Sequence, residues 1–158
     1  MIIAVCGVKN SGKTTLLENL IKGLTEKGKK VAVIKHDGHD FECDIPDTDS
    51  YRMSKAGAYG TAVYSAQRMF IHKQIPGVRS EDLIAMFPEA DIIFIEGLKV
   101  SSYPKIEVIR KEISDCPVSN PEGRFLIVTD WEDGKFQEET KKFEDIEGII
   151  AKISDITN

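Results

Sequence analysis

Apolar runs and helical stripes alternate along the chain. Residues 1–6, "MIIAVC", form a short apolar, β-branched run that stops at a glycine, the pattern of a buried strand. Over residues 14–27, Leu16, Leu17, Leu20, Ile21 and Leu24 share one helical stripe, and Gly28 ends it. Residues 29–35, "KKVAVIK", predict a second strand. The stretch "HDGHDFECDIPDTDS" that follows holds too few apolar residues for a core element. Asp49 or Ser50 caps a short helix through Ala56, stopped by Gly57. "GTAVYSA" and "RMFIHKQ" alternate like the arms of a hairpin. Ser80 caps a helix over "SEDLIAMF", and "ADIIFIEG" is a fully apolar strand ending in Glu96. "PKIEVIRK" alternates, "RFLIVTD" is apolar again, and "FEDIEGIIAKISDI" is an amphipathic helix.

Strands this rich in Val, Ile and Leu, joined through helices, pack as a mostly parallel sheet covered on both faces. The hairpin region adds some antiparallel strands at an edge. The expectation is an α/β, three-layer domain, and residues 1–158 are read as one unit without repeats or linkers.

Composition narrows the class. Hydrophobic residues make up 41% and charged residues 30%, as in ordinary globular proteins, and the net charge is −5. That balance argues against nucleic-acid and anionic-membrane partners. No run approaches the roughly 20 apolar residues of a membrane span, and no basic n-region precedes the first apolar run. The three cysteines, Cys6, Cys43 and Cys116, lack C-x-x-C spacing. Reduced thiols and a cytoplasmic location are expected.

The chemistry begins where the first strand ends. Gly7-Val8-Lys9-Asn10-Ser11-Gly12-Lys13-Thr14 matches G-x-x-x-x-G-K-[ST] in full. Its glycines allow successive N–H groups to converge into an anion nest, and the following helix adds its positive end. Gly7, Lys9, Asn10, Ser11, Gly12, Lys13, Thr14 and Thr15 are therefore candidate nucleotide contacts. Lys13 is expected to reach the β- and γ-phosphates, and to face solvent while the loop is empty. The Thr14 hydroxyl is expected on Mg²⁺. Lys9 stands third in the loop rather than second, which disfavours the dimeric ATPases marked by a second-position lysine.

Ligands of open parallel sheets bind beyond the carboxyl ends of the strands. Those ends are Gly7, Lys35-His36, Glu96-Gly97 and Thr129-Asp130. Glu96 is a candidate Mg²⁺-orienting and catalytic carboxylate, with Asp44 a direct or indirect partner. Lys35, His36 and His39 suit contact with phosphate or a pterin. His36-x-x-His39 also fits half of a Zn²⁺ or Ni²⁺ site. Asp130 can accept from guanine N1–H and the exocyclic amine, or simply cap the turn at Trp131.

"KHDGHDFECDIPDTDSYRMSKAGA" (35–58) resembles the segment K-H-x-H-H-x-x-x-x-D-x-P-G-K-D-S-x-x-x-x-x-A-G-A of the molybdopterin-guanine dinucleotide biosynthesis protein B family, MobB. "IEGLK" (95–99) and "PKIEVIR" (104–110) look like that family's next blocks, so the likeness covers residues 1–131. It carries over to Lys35, His36, His39, Asp44, Asp49, Ser50, Ala56, Gly57, Ala58, Glu96, Gly97 and Lys99. Gly38 replaces a usual histidine, and Asp47-Thr48 replaces Gly-Lys, removing one cation. The resemblance implies a homodimeric GTP-binding accessory protein with weak GTPase activity and Mg²⁺. It assists the guanylyltransferase that joins GMP to molybdopterin, and molybdopterin is a further candidate ligand.

Two other classes compete. A small-molecule P-loop kinase needs an arginine-bearing lid, whereas the five arginines here (Arg52, Arg68, Arg79, Arg110 and Arg124) are scattered. A GTPase metallochaperone needs a ligand cluster, for which His36 and His39 are thin support.

Overall fold

The computed structural model describes residues 1–38 and 41–156. The chain forms two compact units, Met1–His36 with Ser80–Asn158, and Asp37–Arg79.

The first unit is built on β1 (Ile2–Cys6), α1 (Lys13–Glu26) and β2 (Val31–Lys35). In the second unit follow α2 (Asp49–Lys55), β3 (Gly60–Tyr64) and β4 (Met69–Lys73). The chain returns to the first unit through α3 (Ser80–Ile84), β5 (Ile92–Glu96), β6 (Lys105–Ile109), β7 (Arg124–Thr129), β8 (Thr140–Lys141) and α4 (Ile146–Asp155).

Six strands form one sheet in the order β2-β5-β1-β6-β7-β8, every pairing parallel. Alternation along each strand divides the apolar side chains between two faces. Ile3, Val5, Phe94, Ile106, Val108, Leu126 and Val128 meet the stripe Leu16, Leu17, Leu20 and Leu24 of α1 and Ile149, Ile150 and Ile153 of α4. On the other face, Ala32, Ile34, Ile93 and Ile95 pack with Leu83 and Ile84 of α3. Three layers result, as expected.

Details differ from the sequence pattern for local reasons. The antiparallel hairpin pairs Gly60↔Lys73 through Tyr64↔Met69, but as a two-stranded sheet of its own, not as an edge of the parallel sheet. The cap of α2 is Thr48, one residue earlier than expected, its hydroxyl accepting from Tyr51 N–H. The α3 helix stops at Ile84, short of the expected Phe87. The β6 strand alternates in sequence yet is buried throughout, because Lys105 Nζ and one oxygen of Glu107 find partners inside. Lys105 donates to the carbonyls of Ser101, Tyr103 and Glu122, and Glu107 accepts from Val118 N–H at 2.9 Å. No helix among the described residues is long and apolar enough to cross a membrane.

Candidate functional site

The glycine loop leaves β1, which sits between β5 and β6. The chain runs from β1 to β2 on one side and later to β6 on the other, so the loop lies at the switch point where ligands of such sheets bind. Gly7 has φ +144, and a Cβ there would stand 2.5 Å from the Val108 carbonyl oxygen and 2.8 Å from Ser11 Oγ. Only glycine lets the loop pass this close to β6. Ser11 is fully buried, and its Oγ has no hydrogen-bond partner among the described residues. An orphaned hydroxyl inside a glycine cradle fits an anionic ligand.

Contrary to expectation, Lys13 does not extend into solvent. Its Nζ donates to the carbonyls of Val8 (2.6 Å) and Gly7 (3.3 Å), so the ammonium is half-buried and folded back over the loop. Burial lowers its pKa, against the opposing pull of Glu96. At the next residue, Thr14 Oγ1 donates to Glu96 Oε2 at 3.4 Å. The hydroxyl at the helix start and the carboxylate ending β5 are thus brought together, a pair of hard oxygen donors suited to Mg²⁺. His36 belongs to the same edge: its N–H donates to the Glu96 carbonyl at 3.0 Å, and its Cβ lies 3.3 Å from where a Gly97 Cβ would stand. Lys35, pairing with Glu96 in register, and Lys9, Asn10 and Thr15 are exposed around the loop.

Asp130 is placed at the end of β7, with both oxygens engaged. Oδ1 accepts from Lys111 N–H at 2.6 Å, and Oδ2 lies 3.6 Å from Arg110 Nη1. Each oxygen has a second lone pair. Asp44 belongs to the second unit. Its Oδ1 accepts from Ile45 N–H, Thr48 Oγ1 and Ser50 Oγ, while Oδ2 is buried with no hydrogen-bond partner among the described residues. With Oδ1 held by three donors, the carboxylate is fixed in place and its unsatisfied Oδ2 is a fitting cation ligand. Beside it in the same unit, Ser50, Met53, Gly57, Thr61 and Tyr64 line an open cleft of about 860 Å³. His39 lies outside the described residues. Among the described residues no three His, Cys, Asp or Glu side chains group as a metal ion would need.

Sequence reasoning passed over the roles of Arg110, Phe143 and Glu107. Arg110 stacks on Phe143, 3.8 Å from guanidinium to ring centroid, and both flank Gly12. Glu107 is fully buried beside its register partner Cys6, with Oε2 unpartnered. Burial, reinforced by Glu107, pushes the Cys6 thiol up to about 12, so this cysteine is an inert core residue.

A glycine loop running from the middle strand of a parallel sheet into a helix, with a carboxylate ending the next strand, defines an α/β domain of the P-loop NTPase type. Solved structures share the fold. A MobB protein homolog from Bacillus stearothermophilus superposes with a TM-score of 0.74 at 23% identity, covering 97% of each chain. Bacillus subtilis MobB gives 0.76 at 24%, covering 96% of each. Within that fold the family is specific: the profile of MobB, "Molybdopterin guanine dinucleotide synthesis protein B", matches residues 2–130, and the chain belongs to this family. The molybdopterin-guanine dinucleotide biosynthesis adapter protein of Haemophilus influenzae is 34% identical over 116 residues, 72% of this chain and 65% of the relative. That of Escherichia coli is 36% identical over 114 residues, 69% and 65%. The match therefore spans just under two thirds of these relatives' length.

Proposed function

We propose that this chain is a cytoplasmic GTP-binding adapter of molybdenum cofactor biosynthesis. It serves a partner guanylyltransferase that attaches GMP to molybdopterin. The observation that carries the reading is the glycine loop with Thr14 Oγ1 set 3.4 Å from Glu96 Oε2, in a chain of the MobB family.

The loop's N–H groups and Lys13 would hold the β- and γ-phosphates of GTP. Thr14 and Glu96 would hold Mg²⁺, directly or through its waters. Mg²⁺ keeps several waters and takes one or two carboxylates, so a small donor set suffices. When bound, the ion supplies charge neutralisation between the phosphates. Glu96 would orient the attacking water. Asp130 would offer its acceptors to the guanine edge, and Lys35 and His36 would meet phosphate or the pterin of molybdopterin.

The adapter is proposed to act as a homodimer. One face of the hairpin presents Tyr64, Met69 and Ile71 at 85%, 73% and 51% exposure, an apolar strip that a second copy would cover.

The test is reconstitution with the guanylyltransferase of the same source. Dinucleotide formation is expected to rise with this chain, GTP and Mg²⁺ together, and not with the Lys13→Ala variant. Equal stimulation by both proteins would reject the loop's part in it, and no stimulation by the wild-type chain would reject the adapter reading.

A further inference from the structure

We infer that Arg110 is a positioning residue for the glycine loop, setting its last turn from the outer side and placing a cation beside the polyphosphate. This rests on the proposal that the loop holds one. Gly12 takes φ +96, and a Cβ built on it would point at Arg110 Nη2, 3.1 Å away, with Phe143 Cε1 at 3.6 Å. The guanidinium therefore packs directly on the turn that delivers Lys13. Its own placement is fixed from two sides: Phe143, which packs against the main core, supports its plane, and Asp130 Oδ2 lies 3.6 Å from Nη1.

The charge is what separates this from ordinary packing. Arg110 stands next to the start of α1, where the helix dipole is positive and a cation is disfavoured. Asp130 Oδ2, 3.6 Å from Nη1, offsets part of that charge, and an anion in the loop would add a second counter-charge on the side of the helix start. A lysine would keep the charge but lose the planar stack on Phe143 and the fork toward Asp130.

The experiment uses two ligands, inorganic tripolyphosphate with Mg²⁺ and GTP with Mg²⁺, titrated into the wild-type chain and into Arg110→Gln, Arg110→Lys and Phe143→Leu. Circular dichroism checks that each variant is folded. Arg110→Gln is expected to weaken both ligands by the same factor, roughly fivefold. Arg110→Lys should recover part of the loss, and Phe143→Leu should lose less but in the same direction. If Arg110→Gln does not fold, Phe143→Leu decides. A wild-type chain that binds tripolyphosphate, with folded variants that bind it equally well, would overturn the inference. So would a loss confined to GTP, which would move Arg110 to the base. Failure of the wild-type chain to bind either ligand would instead remove the phosphate reading, and this inference with it.

Discussion

Lys13 folds back on the carbonyls of Gly7 and Val8, and that posture has a measurable consequence. Burial lowers its pKa, so it loses its proton at a lower pH than an ordinary lysine near about 10.4. The cation that attracts phosphate is complete below that lowered pKa and disappears as pH rises through it. Triphosphate affinity is therefore expected to start falling on the acid side of the normal lysine range. Calorimetric titrations across neutral to alkaline pH check this, and affinity unchanged until the ordinary lysine pKa would contradict it. Glu96 supports a different expectation, since it faces Thr14 rather than the loop amides. Glu96→Gln should suppress Mg²⁺-dependent GTP hydrolysis more than GTP binding; unchanged turnover would remove Glu96 from the mechanism. At this scale the glycine loop and Glu96 were legible in the sequence because motif and strand end are local signals. Arg110 with Phe143 was not, because the two residues lie on separate segments and meet only through the sheet.

Among the elements, β1 and its loop are the most constrained. Adding one methyl at Gly7 puts a carbon 2.5 Å from the Val108 carbonyl at a backbone angle that L-residues avoid. Gly7→Ala is expected to displace the loop from β6 and to cost about 1–3 kcal/mol for strained backbone alone. Thermal denaturation and nucleotide titration read the two effects, and a variant with wild-type melting and affinity would refute the close approach. The buried strands and both amphipathic helices could be read from hydrophobic period, since their stripes coincide with the packed faces. One element and two details could not. The two-residue β8 has no apolar run to announce it. The α3 helix ends where Leu83 and Ile84 have already covered β2 and β5, leaving Met86 and Phe87 outside the helix and exposed. Complete burial of β6 contradicts its alternating pattern because Lys105 finds three carbonyl acceptors, two in the turn just before the strand and one at Glu122.

Over the molecule as a whole, the topology accounts for why the candidate site stands where it does: all six parallel strands end on one edge, and the loop leaves the central one. Assembly belongs to this scale as well. The exposed strip of Tyr64, Met69 and Ile71 predicts a homodimer, and sedimentation at tens of micromolar should show one (an order-of-magnitude choice of protomer concentration). Placing a charge within the strip, as Ile71→Lys, should shift the mass to that of a monomer. A wild-type monomer would count against the dimer. The central claim is that the glycine loop holds the triphosphate of GTP, and isothermal titration of GTP·Mg²⁺ into the wild-type chain and Lys13→Ala tests it most directly. The account predicts saturable binding to the wild-type protein and a loss of at least about a hundredfold in the variant, with its circular dichroism spectrum retained. Binding by folded Lys13→Ala within about twofold of wild type would contradict it.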